Sequence, residues 1–262
     1  MNNMIYTPLQ VREVFHIEFL RWFIRRIPAE EYVLKGGVNL RLFFKSIRYS
    51  EDIDIDVKRV SIEKLKKITM DILSSRGFAD NLRSLGIAGV VAPDIGKAKQ
   101  TGTTQRFKVQ LMTTAGQDLF TKVEFSRRET KGTAMATPVA DQVLRPYRMA
   151  PLIVMHYDTP SAVEQKIRAM ARRTILQARD IFDLFLLSSQ FDPGWCQRAL
   201  VGKDDLAVAR ENVFQVDYVL FRDSVVAYLG AEDQAVYSSP QVWDEIKLRV
   251  SQFMEEFTDV AV

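Results

Sequence analysis

Carboxylates alternate with aliphatic side chains from Asp52 to Val57. In a β-strand, this spacing of two places Asp52, Asp54 and Asp56 on one face and the aliphatic side chains on the other. Three acids on one face repel each other unless a cation lies between them, and Mg²⁺ is typically held by one or two carboxylates together with substrate phosphates. The segment therefore predicts a divalent metal site that serves phosphate chemistry.

Two glycines, Gly36 and Gly37, stand between an apolar run at residues 32–34 and a predicted helix at residues 38–44. Glycine allows close approach to the backbone, and the N-terminus of the following helix would attract an anion. A phosphate site beside a metal site indicates nucleotide chemistry. Ser50 is expected either to bind a phosphate oxygen or to cap the local turn, and Lys35 to be a solvated strand end.

Glu124 is the candidate for a third ligand. The alternation at residues 119–125 predicts a strand that carries Lys122 and Glu124 on one face. Nucleotidyl transfer uses two divalent ions, which activate the attacking hydroxyl and stabilise the leaving pyrophosphate. Asp52, Asp54 and Glu124 together could hold both ions if their strands are neighbours in the sheet.

The alternative for these acids is an edge strand whose exposed face is simply acidic. The glycine pair upstream and the Lys-x-Glu pattern downstream favour the metal site instead. Asp56 has no such support, and we expect it to face solvent or to pair with a lysine.

Cations and acids recur at helical spacing in the second half of the chain. Lys166 and Arg168 lie near the start of a predicted helix, where they could hold a triphosphate or a polynucleotide backbone. The alternative is the charged outer face of an amphipathic helix. Asp180 and Asp183 are three residues apart on the next helix. Asp183 could bond its own helix surface or an arginine, and Asp180 could equally be a salt-bridged structural acid.

The composition limits the classes of protein that remain. With 262 residues and 47% hydrophobic content, the chain can form two lobes, which we place at residues 1–150 and 151–262. The net charge of +3 permits a nucleic-acid partner without arguing for one. Cys196 is the single cysteine, which excludes an intrachain disulfide and a cysteine-based zinc cluster, and His16 and His156 are too few for a histidine-rich metal site. We expect no signal peptide, no membrane span and a cytoplasmic location.

The hydrophobic periodicity predicts an α/β N-terminal lobe and an all-α C-terminal lobe. Helices are expected at residues 9–27 and 61–75, the second closed by Gly77, and at the end of the chain at residues 239–258. A turn-like region is expected at residues 130–146. The helix after it has a proline inside its start and a Ser-x-x-Glu capping box beginning at Ser161. Neither a P-loop nor a Gly-x-Ser-x-Gly elbow occurs.

Four stretches of the chain together resemble the AbiEii/AbiGii-type nucleotidyltransferase toxins of type IV toxin–antitoxin systems. They are Lys-Gly-Gly-Val-Asn-Leu at residues 35–40 with Arg-Tyr-Ser-Glu-Asp-Ile-Asp at 48–54, Lys-Val-Glu-Phe-Ser at 122–126, Glu-Gln-Lys-Ile-Arg-Ala at 164–169, and Arg-Asp-Ile-Phe-Asp-Leu at 179–184. Each match alone is a weak signal. Together they occur in the order of the family's four motifs.

The resemblance implies a polymerase β-like nucleotidyltransferase lobe with a mixed sheet, followed by the helical lobe. It also implies an enzyme that uses NTP with Mg²⁺ or Mn²⁺. Relatives act as toxins in abortive infection, add nucleotides to tRNA ends or bind GTP, and are commonly encoded beside an antitoxin that represses transcription.

The same resemblance implies roles for individual positions. By this resemblance, Asp52 and Asp54 are metal ligands, and Gly36, Gly37 and Ser50 contact the triphosphate. Lys166 is a phosphate-binding lysine, and Asp180 is a second catalytic acid. The chain departs from the family pattern at Val38 and Asn39, where many relatives have Thr-Ala and so a hydroxyl that could touch phosphate.

The sequence therefore predicts a metal-dependent transfer of NMP from an NTP to an RNA acceptor such as a tRNA 3′ end. The catalytic residues would be Asp52, Asp54, Glu124, Lys166 and Asp180, with Arg168 as a further phosphate contact, in a cleft between the lobes. Two alternatives stay open at this point. One is a nucleotidyltransferase that labels a protein or a small molecule such as an aminoglycoside, and the other is a non-catalytic GTP- or NTP-binding module.

Overall fold

The computed structural model describes residues 6–96, 100–127, 132–192 and 201–259. The chain divides into two compact units, the first comprising Met1–Phe43, Tyr49–Thr130 and Ala134–Tyr157, and the second Phe44–Arg48, Lys131–Thr133 and Asp158–Val262. Cys196 lies outside the described residues.

A seven-stranded sheet forms the centre of the first unit. Its strands are β1 (Tyr32–Lys35), β2 (Asp52–Val57), β3 (Ile87–Val91), β4 (Thr104–Thr113), β5 (Asp118–Ser126), β6 (Ala134–Pro138) and β7 (Ile153–Tyr157). Their order across the sheet is β3-β4-β5-β2-β1-β7-β6. The sheet is mixed, because β2 pairs in parallel with β5 and β1 in parallel with β7, whereas the other neighbours are antiparallel. This confirms the predicted mixed α/β class.

Five α-helices of the described residues belong to the first unit. They are α1 (Pro8–Phe23), α2 (Gly36–Phe43), α3 (Ile62–Leu73), α4 (Arg76–Ser84) and α5 (Asp141–Leu144). α1 carries an aromatic ridge of Phe15, Phe19 and Phe23, all fully buried, which packs in one hydrophobic core with the apolar face of the sheet. Burying each such ring is worth about 1.5–3 kcal/mol. The core therefore covers one face of β2, β4 and β5, and their other face carries mostly polar side chains.

Three local predictions in this region were wrong. α1 ends at Phe23 rather than at residue 27. Gly77 does not close α3, because Ser74 is its C-cap and the hydroxyl of Ser75 caps a new helix in which Gly77 lies in the first turn. The region at residues 130–146 contains β6 and α5 in addition to turns.

The second unit is helical. It contains α6 (Thr159–Arg172), α7 (Ala178–Ser188), α8 (Lys203–Gln215), α9 (Tyr218–Ser224), α10 (Ala231–Tyr237) and α11 (Pro240–Asp259). The capping box predicted at Ser161 is absent, because the carboxylate of Asp158 caps α6 by accepting from the Ser161 N–H. Trp243 of α11 is buried and stacks on Phe221 with ring centroids 4.2 Å apart. Its indole N–H donates to the Val216 carbonyl, so the buried polar group is satisfied.

Candidate active site

The acidic strand β2 lies in the middle of the sheet, with β1 on one side and β5 on the other. Ile53 and Ile55 are fully buried on its core face, whereas Asp52 and Asp54 are half-buried on the opposite face. The edge-strand alternative is therefore excluded, since both edges of β2 are hydrogen-bonded to neighbours. Half-buried acids in the middle of a sheet need compensation by charge or hydrogen bonds, which makes their surroundings informative.

Glu124 lies directly beside Asp54. In the parallel pairing of β2 with β5, Asp54 is opposite Glu124 and Asp52 is opposite Lys122. Paired residues of neighbouring strands point to the same face of a sheet. The predicted adjacency of the third carboxylate is therefore confirmed, and Asp52, Asp54 and Glu124 share one face.

Two of these carboxylates are held by cations from the same face. The Lys122 ammonium lies 2.6 Å from Asp52 Oδ2, and the Arg106 guanidinium lies 2.6 Å from Glu124 Oε2. Arg106 comes from β4, where it is opposite Glu124 in the register. Because these side chains are partly exposed, each pair is worth no more than about 1 kcal/mol. A divalent ion could displace such cations at little cost.

The donor set suits Mg²⁺, although the carboxylates do not converge on one point. Within the described ranges, no group of three or more histidine, cysteine, aspartate or glutamate side chains is arranged to hold a metal ion. Mg²⁺ usually needs only one or two carboxylates when phosphate oxygens and water complete its octahedron. Asp52 and Asp54 meet that requirement because they lie on one strand face beside a backbone turn that a phosphate could approach.

That turn is built around Gly36, the first residue of α2. Its φ is +71°, a left-handed conformation that side chains with a Cβ rarely adopt. A Cβ at this position would lie 2.7 Å from Asp54 Oδ2. Gly36 is thus needed for the backbone conformation and also for the position of the Asp54 carboxylate. Gly37, the next residue of α2, is half-buried.

The remaining polar residues of this segment form local bonds. The Ser50 hydroxyl donates to the Asp52 carbonyl at 2.8 Å, as expected for a turn-capping serine. Asp56 is buried, with the Lys35 ammonium 2.5 Å from Oδ1 and the Tyr157 hydroxyl donating to Oδ2. The expected lysine pairing of Asp56 is confirmed, whereas the expectation that Lys35 is a solvated strand end was wrong.

The family model described as the AbiEii nucleotidyl transferase toxin of type IV toxin–antitoxin systems matches residues 19–233. The chain belongs to the AbiEii family. The predicted resemblance is thereby confirmed, and the match includes both glycines of the turn, all three carboxylates and the helical motifs.

Solved structures show the same fold as this AbiEii-family chain. JHP933 from Helicobacter pylori superposes with a TM-score of 0.52 at 16% identity, covering 94% of this chain and 92% of that one. A putative nucleotidyltransferase from H. pylori gives 0.54 at 17% identity, with 95% and 98% covered. MenT4, a nucleotidyltransferase toxin from Mycobacterium tuberculosis, gives 0.59 at 17% identity, with 97% and 85% covered. Proteins with curated functions gave no match.

The third and fourth of the stretches that carry the predicted resemblance, residues 164–169 and 179–184, meet in a buried ion network of the second unit. Lys166 of α6 places its ammonium 2.9 Å from Asp180 Oδ1 and 2.6 Å from Asp183 Oδ2, both on α7. Arg48 adds a two-pronged hydrogen bond to Asp183, with Nε at 3.0 Å from Oδ1 and Nη2 at 2.9 Å from Oδ2. Arg173 pairs with the other oxygen of Asp180 at 2.9 Å. The structure therefore brings the predicted residues Lys166 and Asp180 together.

Asp183 is fully buried in this network and bonds to both Arg48 and Lys166. Burial alone would raise the pKa of its carboxyl, but the charges of Arg48 and Lys166 and their hydrogen bonds lower it to about 2. Asp183 is therefore ionised at neutral pH. The expectation that it pairs with an arginine is confirmed. Arg168, the other predicted phosphate contact, is bonded to Glu164 one turn earlier on α6, at 2.8 Å.

Sequence reasoning missed a buried relay behind the acidic strand. The Thr121 hydroxyl donates to the Glu51 carbonyl at 2.6 Å and lies 2.7 Å from His16 Nε2, so His16 must donate to the threonine oxygen. Burial, and then the charge of Arg12, lower the pKa of His16 to about 3. The relay ties α1 to the residues that immediately precede Asp52 and Lys122. A lone histidine on an apolar helix face gave no sequence signal for it.

The departure from the family pattern at Val38 and Asn39 also has a structural account. Val38 is buried in the hydrophobic core. Asn39 is buried too, and its amide donates to the Tyr157 carbonyl at 3.1 Å while its oxygen meets His156 Nδ1 at 2.9 Å. Asn39 therefore fastens α2 to β7 and keeps the Gly36 turn in place.

Proposed function

We propose that this protein is a metal-dependent nucleotidyltransferase that moves NMP from an NTP to an RNA acceptor, a tRNA 3′ end. The observation that carries the proposal is the shared face of Asp52, Asp54 and Glu124 beside the Gly36 turn. Membership of a nucleotidyltransferase toxin family supports transfer of a nucleotidyl group. The fold it shares with MenT4, a nucleotidyltransferase toxin, is consistent with this assignment.

Asp52, Asp54 and Glu124 would hold Mg²⁺ or Mn²⁺. A bound divalent ion would make the acceptor hydroxyl more acidic and neutralise charge on the triphosphate. The carboxylates of Asp52 and Asp54 would fix the ion on a strand that neighbours hold on both sides. Lys122 and Arg106 would release their carboxylates as the ion arrives and would then be free to meet phosphate oxygens.

Gly36, Gly37 and Ser50 would contact the triphosphate, because the first turn of α2 presents backbone N–H groups beside the metal ligands. For the second unit we propose Lys166 and Arg168 as phosphate contacts and Asp180 as a further catalytic acid. In the structure Lys166 is neutralised by two carboxylates. To contact the substrate, the Lys166 ammonium would donate to a phosphate oxygen while it stays bonded to these carboxylates.

Family membership in a type IV toxin–antitoxin system implies an antitoxin partner. In the described part of the chain, no helix has the length and apolarity required to cross a membrane. Because NTPs and tRNA are cytoplasmic, we propose that the toxin acts in the cytoplasm.

The test combines biochemistry with sequencing of RNA 3′ ends. The purified protein is incubated with Mg²⁺ or Mn²⁺, labelled NTPs and total tRNA, and in parallel the protein is expressed in cells and RNA 3′ ends are sequenced. We expect added nucleotides in both experiments and none with Asp52→Ala or Asp54→Ala. Unmodified tRNA together with unchanged toxicity of both variants would refute the proposal.

The same assay separates the alternatives. Label that appears on protein or on an aminoglycoside, with pyrophosphate released, would keep the enzyme and change its acceptor. NTP binding in calorimetry without pyrophosphate release would indicate a non-catalytic binding module.

A further inference from the structure

The face of the sheet that carries the candidate catalytic acids continues as an exposed surface on β4 and β5. Along both strands, residues alternate between the buried core and this second face. The second face presents, on β4, Arg106, Lys108, Gln110 and Met112, and on β5, Asp118, Phe120, Lys122 and Glu124. No helix of the described residues buries it at Lys108 or at Phe120, since both are exposed. A ligand held at Glu124 can therefore extend along it.

Phe120 is the aromatic group of this surface. Its side chain is 62% exposed near the start of β5, where the flanking residues, Leu119 and Thr121, are buried. A single exposed apolar residue is common on protein surfaces and needs no explanation alone. Its position is what gives it meaning, because it lies four residues from Glu124 on the same face, or about 13 Å along the strand.

Lys108 supplies the second observation. It lies directly opposite Lys122 in the antiparallel pairing of β4 with β5. Like charges directly opposite each other destabilise a sheet. Asp52 neutralises Lys122, whereas Lys108 is exposed and has no ion pair in the part of the chain that the structure describes. An anion above Lys108 would neutralise the charge that remains on this pair of lysines.

We propose that Lys108, Phe120 and Lys122, named here the acceptor platform, bind the single-stranded end of the acceptor RNA. This inference rests on the proposed function, because it assigns a location to the acceptor. Proteins bind single-stranded nucleic acid by stacking bases on aromatic rings and by tracking the backbone with cations. On the acceptor platform a base stacks on Phe120, and Lys108 contacts a backbone phosphate. The terminal hydroxyl then reaches the carboxylates at the other end of the same face.

Charge favours RNA over a protein partner for this surface. Two of the acids at its catalytic end, Asp52 and Glu124, are each paired with a cation. Among the three residues of the acceptor platform, Lys108 carries the charge that has no ion pair in the described part of the chain. Asp118 lies at the far end beside the β4–β5 turn and would limit the extent of a bound strand.

Binding is tested separately from catalysis. The probe is a short fluorescent single-stranded oligoribonucleotide ending in cytosine-cytosine-adenosine, and its affinity is measured by anisotropy over a series of salt concentrations. Stacking on one ring predicts that Phe120→Ala weakens binding about 5- to 150-fold with an unchanged salt slope, and that Phe120→Trp restores it. Lys108→Ala should weaken binding and also reduce the slope of log K against log salt by about 0.7, as for one lost contact to a single-strand phosphate.

Matched controls are available elsewhere on the surface. Phe214 is 50% exposed on α8, and Lys66 is exposed on α3. Phe214→Ala and Lys66→Ala should bind the oligoribonucleotide as the unmodified protein does. Circular dichroism melts of all five variants check that each has folded.

Two outcomes would overturn the inference. The first is that Phe120→Ala and Lys108→Ala match their controls, and the second is that they lose binding to the cognate antitoxin while RNA binding is unchanged. The nucleotidyl transfer assay on the unmodified protein reports independently on the proposed function. If the unmodified protein transfers nucleotides to RNA and Phe120→Ala binds RNA normally, the acceptor platform is rejected and the proposed function stands. If RNA binding depends on the acceptor platform but no transfer occurs, the proposed function is rejected and the acceptor platform stands.

Discussion

Replacing Gly36 with alanine should separate the two tasks of this glycine. The φ of +71° at this position costs a residue with a Cβ about 1–2 kcal/mol. The new Cβ would also lie 2.7 Å from Asp54 Oδ2, so the carboxylate must move by about 0.7 Å to restore an ordinary contact. Misplacing a catalytic group by about 1 Å can cost about 100-fold in rate. We therefore expect Gly36→Ala to lose 10- to 100-fold in nucleotidyl transfer.

Gly116 provides the matched control. It has a φ of +78° in the turn between β4 and β5, and a Cβ there would have no neighbour within 4 Å. Urea unfolding should therefore give Gly116→Ala and Gly36→Ala similar losses of stability, about 1–2 kcal/mol each. Transfer assays with labelled NTP, run well below the unfolding temperature, should show reduced activity for Gly36→Ala alone. Equal activities for the two variants would refute the argument that Gly36 makes room for the Asp54 carboxylate.

Three further predictions follow from buried or paired side chains. His16 is neutral in the folded protein, where its pKa is about 3, whereas in the unfolded chain it binds a proton below about pH 6.5. The free energy of unfolding should therefore fall by up to about 1.4 kcal/mol per pH unit as pH drops from 6.5 towards 3. His16→Gln should show a smaller fall. Asp183→Asn breaks a buried pair and should cost about 3–5 kcal/mol in urea unfolding at neutral pH. Because the pKa of Asp183 is lowered to about 2, its contribution should disappear as pH falls from 3.8 through 2. Asp52→Asn should abolish transfer with little change in melting temperature, whereas Asp56→Asn, in a buried pair with Lys35, should lower the melting temperature.

Each of these has its own control. A pH dependence of stability that His16→Gln leaves unchanged would exclude His16 as its source. Asp205 is paired with Arg172 at the surface. Asp205→Asn should therefore lower the free energy of unfolding by less than about 1 kcal/mol. A similar cost for Asp183→Asn would argue against the buried network. Loss of stability without loss of transfer in Asp52→Asn would refute its proposed role.

The alternation of residues predicted the strands of the site well, because a strand with one buried face has a period of two that its residues must follow. Asp52, Asp54 and Glu124 were identified in this way. Their pairing could not be read from the same pattern. The parallel register that sets Asp54 opposite Glu124 joins strands about 70 positions apart, and sequence periodicity does not specify which strands become neighbours.

Side-chain partners were harder to predict than strands. Arg106 shares the alternation of its strand with Lys108, but its pairing with Glu124 depends on the register of β4 with β5. The prediction of a helix start was wrong where two residues could each act as the N-cap. Asp158 caps α6 although Ser161 begins a capping-box pattern. β6 was missed because this largely exposed edge strand, Ala-Met-Ala-Thr-Pro, shows no alternation of apolar and polar residues.

The central position of β2 also bears on how the activity should respond to heat. Amide groups of a strand bonded on both sides exchange with solvent only when the surrounding structure opens, so the backbone of Asp52 and Asp54 belongs to the slowest-exchanging part of the first unit. Local fraying at strand edges or termini would leave the carboxylates in register. On heating, loss of activity should therefore coincide with cooperative unfolding instead of preceding it.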